Sequence, residues 1–293
     1  MGTGGFTLRI GIIGTGLMGS NLARCLHGKG VELVVYNRTR GKAEKLCSEI
    51  GCRVVDKPSL MRDVDAVIVF VFDDQAVQGV LVGGDGLIHS GSSTMVLNAS
   101  TITPITSLEV GEALESSGYT YFEAPVYGST DEARECRLVS MLGGEQDRVD
   151  EAARITSLYS TETIYVGGVS KAMALKLALN NIGLSLPPII GESLELLEAY
   201  NVSLEKFMEV SMKLWFGSIL ERYMKRIMGG SGNIRFTVKG AAKDYRTITR
   251  ALTDKYYPAI ISSALMNYYT IASGSMGSSD YPKAGRVFLK KTS

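Results

Sequence analysis

Histidine is nearly absent. Of 293 residues only His27 and His89 carry an imidazole, and neither neighbours a cluster of carboxylates or cysteines. A zinc site and a histidine-based nucleophilic triad are therefore not expected, because each needs imidazole beside further ligands or a nucleophile. Cysteine is scarce too. Cys25, Cys47, Cys52 and Cys136 show neither the paired spacing of metal ligands nor the density of a disulfide framework, so reduced thiols in a cytoplasmic protein are expected. Net charge is almost nil: 31 basic and 30 acidic residues leave a formal +1, which offers no long-range field to nucleic acid or to an anionic membrane. No uninterrupted apolar run reaches membrane-spanning length. The opening residues, Met1 to Phe6, lack the basic-then-apolar order of a signal peptide. The expectation is a chain without metal, nucleic acid or membrane among its partners.

Glycine, by contrast, is plentiful, and six residues use it in a pattern. Gly14, Thr15, Gly16, Leu17, Met18 and Gly19 follow the apolar run Leu8 to Ile13 and precede a segment of helical periodicity, Asn21 to His27. This is G-x-G-x-x-G between a strand and a helix, the context that gives the motif its meaning. The first glycine permits a tight turn, the second lets backbone approach a pyrophosphate, and the third brings helix and strand together. The helix start adds unpaired N–H groups for the phosphates. A dinucleotide cofactor is implied.

Strand-like and helical segments alternate through the first half. Strands are expected at Leu8–Ile13, Glu32–Tyr36, Val54–Val55, Ala66–Phe70, Met95–Asn98, Thr120–Glu123 and Leu138–Leu142. Helices are expected at Gly41–Ile50 and Pro104–Ser117 between them. Such alternation builds a doubly wound parallel sheet of Rossmann type. From Lys171 onward the pattern is helical, with Ser170 a plausible N-cap. Pro187 and Pro188 should kink or interrupt the first long helix, since proline removes a donor and crowds the preceding turn. Further helices are expected at Glu192–Tyr200, Leu204–Gly217 and Lys239–Leu252. The α/β expectation is a dinucleotide-binding domain over 1–167, followed by an all-α substrate and oligomerisation domain over 168–293.

The second strand ends at Tyr36 and leads into Asn37, Arg38 and Thr39. A carboxylate placed here would hold the ribose hydroxyls of NAD. Arg38 instead suits a 2′-phosphate, with Asn37 and Thr39 as hydrogen-bonding neighbours and Lys42 a second cation. NADP is the expected cofactor, with NAD open. Val71 and Phe72 follow the fourth strand at the carboxyl end of the sheet, where the cofactor should pass. Asp73 and Asp74 read as a loop cap. For proton transfer the candidate is Lys176, which shares a helix face with Asn180 at i and i+4. It lies in the first two turns, where the helix dipole disfavours an ammonium. Taken alone, a lysine on a helix is ordinarily a solvated surface residue.

Four separated motifs in order resemble the β-hydroxyacid dehydrogenase family, which includes 3-hydroxyisobutyrate dehydrogenases and glyoxylate/succinic semialdehyde reductases. The first is Gly11 to Gly19, similar to that family's cofactor loop. The second is Asn98-Ala99-Ser100-Thr101-Ile102-Thr103-Pro104, in which the resemblance assigns Thr101 to the cofactor. The third is Glu123-Ala124-Pro125-Val126-Tyr127-Gly128-Ser129, similar to a substrate segment. The fourth is Lys176 with Asn180, which falls on the family's catalytic lysine and asparagine. Phe236 and Lys243-Asp244 resemble a further segment whose lysine, here Lys243, reaches the cofactor.

The chain also departs from this family. Tyr127 stands where the family has serine, Ser129 follows Gly128 in place of a second glycine, and Ser170 and Ala172 replace glycines before the lysine. Tyr127 reads equally as a packing aromatic. The resemblance implies hydride transfer between NADPH and a small semialdehyde or 2-oxo acid, or the β-hydroxyacid in reverse. Lys176 would act as general acid and base, Asn180 would orient the substrate, and Tyr127, Gly128 and Ser129 would hold its carboxylate. The expected site lies in the cleft between the two domains, and the expected assembly is a homo-dimer or tetramer. A 6-phosphogluconate dehydrogenase is disfavoured because Leu179 stands where that family has histidine. An imine reductase of the same fold, or a silent NADPH-binding module, is the alternative. Trp215, Tyr256-Tyr257 and Tyr268-Tyr269 read as core or subunit contacts, and Phe288 to Lys291 as a solvated tail.

Overall fold

Residues Ile10 to Ile13 are buried toward both faces and, with Arg9, form β1 (Arg9–Ile13), the middle of a parallel sheet. A strand covered on both sides needs such a run. The computed structural model describes residues 8–229 and 232–289. The opening residues Met1 to Phe6 and the tail lysines Lys290 and Lys291 lie outside the described residues.

In chain order there follow α1 (Leu17–Gly28), β2 (Glu32–Tyr36), α2 (Arg40–Ile50), β3 (Arg53–Val54), β4 (Ala66–Val69), α3 (Asp74–Leu81), β5 (Met95–Asn98), α4 (Pro104–Glu115) and β6 (Thr120–Glu123). These strands lie in the order β3-β2-β1-β4-β5-β6, all parallel. That is the doubly wound order in which ligands bind beyond the carboxyl ends of the strands. Alternate residues enter separate apolar clusters on the two faces: Ala66 and Ile68 join Leu22, Leu26 and Phe122, while Val67 and Val69 join Val110, Leu114 and Tyr121. Each fully buried Val, Leu or Ile contributes about 1.5–3 kcal/mol.

Beyond β6 the sheet turns mixed, through β7 (Val126–Tyr127), α5 (Thr130–Arg134), β8 (Leu138–Gly144), α6 (Val149–Thr156) and β9 (Ser160–Gly167). Strand β8 runs antiparallel to β6 and β7 and parallel to β9, giving nine strands. Neither β7 nor β9 was expected. The first is only two residues long, and the second is an edge strand with a single buried residue, whose apolar run Ile164-Tyr165-Val166 does not alternate as a half-buried strand does.

The cysteines correct an expectation. Cys25 of α1 is bonded to Cys136, just past α5, with Cα atoms 5.5 Å apart, and Cys47 of α2 to Cys52 with Cα atoms 4.6 Å apart. No free cysteine remains. The first pair is 111 residues apart in sequence and meets only because α1 packs on α5. The expectation of a cytoplasmic location drew on reduced thiols and loses that support.

The chain divides into two compact units, Met1–Lys176 and Leu177–Ser293. Helix α7 (Lys171–Ala199) passes from one into the other, where α8 (Leu204–Ser211), α9 (Gly217–Met228), α10 (Val238–Thr253) and α11 (Ile260–Met276) follow. Pro187 and Pro188 do not interrupt α7. Proline inside a helix costs about 3 kcal/mol. Burial of Leu177, Leu184, Ile190 and Leu194 in the apolar clusters of the second unit offsets that cost. By length and composition alone α7 could cross a membrane. The helix expected over Leu204–Gly217 is instead split, with α8 ending at Ser211. A Cβ on Gly217 would approach the Ser211 carbonyl oxygen to 2.5 Å, which marks a turn too tight for a continuous helix.

Tyr245 stacks on Tyr269 in this unit, ring centres 5.5 Å apart, and Tyr268 meets Phe288 edge-on. Trp215 and Tyr256 are exposed, at 87% and 97%.

Candidate active site

The turn after β1 shows why its glycines are glycines. Gly14 has φ +102°, and a Cβ there would overlap the Phe70 carbonyl oxygen, while a Cβ on Gly19 would overlap the Gly14 carbonyl oxygen. Gly16 differs. A Cβ built on it meets nothing within 4 Å, and as N-cap of α1 it offers no side-chain cap. The first N–H groups of α1 lack an intrahelical acceptor, as at any helix start, and the buried Thr15 hydroxyl has no hydrogen-bond partner among the described residues. Open backbone, unpaired donors and an orphaned hydroxyl fit a pyrophosphate.

Asn37 turns out to be committed elsewhere than expected. Its Oδ1 accepts from Thr15 N–H at 3.0 Å, and its Nδ2 donates to the Thr39 carbonyl at 2.9 Å, so it braces the glycine turn. Arg38 and Lys42 are exposed at the carboxyl end of β2. Arg40 pairs with Glu44 and Asp56, whereas Arg38 forms no ion pair among the described residues.

On the next two loops, Val71 is half-buried and Phe72 exposed. Val71 N–H donates to Ser100 Oγ at 3.0 Å. Asp73 caps α3 by accepting from Ala76 N–H, and Asp74 accepts from Thr103 N–H at 3.0 Å, as loop caps do. Thr101 lies half-buried between Ser100 and Ile102.

The substrate segment folds as β7 and the start of α5. Gly128 takes φ +137°, a conformation strained for any residue with a Cβ, which would also press on Leu138 Cδ2 at 2.6 Å. The Ser129 hydroxyl and N–H both donate to Glu132 Oε2. The hydroxyl is therefore already engaged, which differs from its expected role as a free carboxylate ligand. Tyr127 is half-exposed, and the Lys176 ammonium lies 4.9 Å from its ring centre.

The start of α7 also departs from expectation. Ser170 precedes the helix at φ +84°, but the carboxylate of Glu123 caps the first turn. It accepts from the N–H groups of Ser170, Ala172 and Met173 at 3.0, 3.0 and 3.1 Å. Burial pushes the Glu123 carboxyl above its ordinary range, against the pull of Ser107 and the three amides.

In the second unit, Asn180 Nδ2 donates to Asp244 Oδ2 at 2.7 Å, and Lys243 pairs with Asp244 Oδ1 at 2.5 Å. Asp244 thereby joins two residues singled out in sequence. Its own part, like that of Glu123, was not foreseen, since neither charge pattern nor period reveals a partner 64 residues away.

The family profile described as the NAD binding domain of 6-phosphogluconate dehydrogenase matches residues 9–167. The uncharacterized oxidoreductase YfjR of Bacillus subtilis is 31% identical over 219 residues, which are 74% of this chain and 76% of that protein. Glyoxylate/succinic semialdehyde reductase 2 (chloroplastic) of Arabidopsis thaliana is 28% identical over 178 residues, 60% of this chain and only about half, 49%, of its own length. Among solved structures, Mycobacterium tuberculosis 3-hydroxyisobutyrate dehydrogenase with L-serine shares the fold. Its TM-score is 0.84 at 19% identity, over 97% of this chain and 100% of that one. With a glycine turn fit for a dinucleotide and these matches along its length, the chain belongs to the β-hydroxyacid dehydrogenase family of NAD(P)-dependent oxidoreductases.

Proposed function

We propose that this protein is an NADPH-preferring reductase of a small carboxylated aldehyde or 2-oxo acid, working in reverse on the β-hydroxyacid. The observation that carries this reading is the Lys176 ammonium held over Tyr127, on the segment that also contains Gly128 and Ser129. NADPH, when bound, supplies the hydride. Lys176 delivers the proton to the carbonyl oxygen, which otherwise would carry the developing negative charge. Asn180, held by Asp244 through its amide nitrogen, keeps its carbonyl oxygen for orienting a substrate hydroxyl. The backbone N–H of Gly128 and the Tyr127 hydroxyl serve the substrate carboxylate. Because Ser129 is bound to Glu132, it contributes less than its position suggests.

The glycine turn and Thr15 receive the pyrophosphate, Arg38 the 2′-phosphate, and Val71, Phe72 and Thr101 the adenosine and ribose side, while the family resemblance assigns Lys243 to the cofactor as well. A preference for NADPH is supported by Arg38, which lacks an ion pair among the described residues, and by the absence of a carboxylate after Tyr36. The active form is proposed to be a homo-dimer or tetramer. The apolar residues Ile182, Leu196, Trp215, Tyr256, Ile260 and Ile261 are exposed on the helical unit and would be covered by a second copy.

The test is cofactor oxidation with glyoxylate, succinic semialdehyde, methylglyoxal and a cyclic imine, using NADPH and NADH in parallel. Turnover of a carboxylated aldehyde with NADPH preferred supports the reading. Turnover of the imine alone, or of none of them, overturns it.

A further inference from the structure

Helix α7 begins without a cap of its own. Its first N–H groups have no intrahelical acceptor, and an ordinary helix satisfies them with the side chain of its N-cap residue. Here the acceptor comes from another element. Glu123, the last residue of β6 and 0% exposed, places Oε1 on Ser170 N–H and Oε2 on the N–H groups of Ala172 and Met173. Strand β8 closes this pocket tightly. A Cβ added to Gly143 would lie 2.6 Å from Glu123 Oε2 and 3.1 Å from the Ala172 Cβ.

Four residues past Glu123, on the same segment, Tyr127 meets the Lys176 ammonium. One short stretch of chain thus grips α7 twice, by its first backbone turn and by its lysine.

The carboxylate does not stand alone. Ser107 lies beside it and favours its anion. Ser107 Oγ lies 2.9 Å from the Tyr121 hydroxyl, which accepts from Asn98 Nδ2 at 3.0 Å. Asn98 Oδ1 accepts from Ser100 N–H at 3.1 Å, and Ser100 Oγ accepts from Val71 N–H. Ser107, Tyr121 and Asn98 are fully buried and Ser100 nearly so. A connected chain of hydrogen bonds therefore runs from the Val71 loop through Ser100, Asn98 and Tyr121 to Ser107, beside Glu123. Such chains hold a single geometry, because each unmade bond would leave a buried group unsatisfied.

We propose that Glu123 is a positioning residue for Lys176. By pinning the first turn of α7 to β6 it holds the ammonium at its working place. The buried chain through Ser107, Tyr121, Asn98 and Ser100 runs from beside Glu123 to the loop expected to touch the cofactor. This rests on Lys176 being the proton donor. Displacing a reacting group by about 1 Å costs on the order of a hundredfold in rate, so a backbone tether is worth a buried carboxylate.

The experiment uses Glu123→Gln, which keeps the shape but turns one acceptor into a donor facing an amide N–H. Lys176→Ala is run in parallel. Turnover is followed with NADPH deuterated at the transferred position and in heavy water, alongside NADPH affinity and amide exchange. The expected result is a kcat lower by about tenfold or more, with larger hydride and solvent isotope effects. NADPH affinity should stay within about twofold, and exchange should quicken only in the first turn of α7. Loss of folded molecules alone would lower kcat but leave the isotope effects unchanged, and that result overturns the proposal. If Lys176→Ala is inactive while Glu123→Gln behaves as wild type, only the positioning role fails. If Lys176→Ala turns over normally, the lysine reading fails and takes this inference with it.

Discussion

Lys176 Nζ sits 4.9 Å from the centre of the Tyr127 ring, within range of a cation–π contact. The ring anchors the ammonium and fills space in front of it. Lys176→Ala should lower kcat by about a hundredfold or more, the low end for a lost general acid, with NADPH binding intact. Tyr127→Phe keeps the ring and removes only the hydroxyl. If that hydroxyl holds the substrate carboxylate, KM rises by about tenfold at nearly constant kcat, as for a lost hydrogen bond to a charged group. Steady-state kinetics of both variants decide these points.

The glycine turn predicts opposite behaviour for two similar substitutions. Gly14→Ala forces a Cβ onto the Phe70 carbonyl at a positive φ, so it should lower the melting temperature. Gly16→Ala meets no atom within 4 Å and should leave the melting temperature nearly unchanged, yet weaken NADPH by about tenfold where the pyrophosphate must approach. Calorimetry paired with a fluorescence titration distinguishes them.

Arg38 should govern the choice of nucleotide. Arg38→Ala is expected to raise the KM for NADPH by about tenfold, the value of a charged hydrogen bond, while NADH changes little. Equal losses with both cofactors would show that Arg38 does not bind a 2′-phosphate.

Reducing the disulfides should destabilise the first unit unequally. The Cys25–Cys136 bridge closes 111 residues and Cys47–Cys52 only 5, so loss of the first constrains the unfolded chain far less than before. Cys136→Ser should cost about 2–4 kcal/mol in urea unfolding, and Cys52→Ser clearly less. Peptide mapping without reductant would find both bridges.

Glu123 makes stability depend on pH. Its carboxyl titrates above the ordinary range because burial disfavours the anion. The folded chain therefore holds that proton more tightly than the unfolded chain. Stability from this group is present in acid and lost as pH rises through the raised value. Wild type should thus lose stability relative to Glu123→Gln as pH rises from the ordinary carboxylate range through the raised value, read from urea midpoints across a pH series.

Much of the first unit is legible from residues alone. All seven expected strands exist, and Glu32–Tyr36, Met95–Asn98 and Thr120–Glu123 agree to the residue. Each is a buried run bounded by helix or turn signals, and period two needs no tertiary information. The same holds for the glycine turn, where a positive φ and close backbone contacts can be met only by glycine. The edge strand β9 was not legible, because its apolar residues Ile164, Tyr165 and Val166 run consecutively at exposed or half-buried positions instead of alternating.

By itself the sequence determined the alternating first half, the helical second half, the dinucleotide turn and the face shared by Lys176 and Asn180. These depend on local period and on the backbone demands of single residues. Only the tertiary structure decided that Pro187 and Pro188 stay inside α7, because apolar burial along its length outweighs their local cost. It also decided that four cysteines pair, that Ser129 is held by Glu132, and that Glu123 caps a helix 47 residues away. Those outcomes depend on which distant polar and sulfur atoms the folded sheet brings within bonding distance, and no local pattern records that.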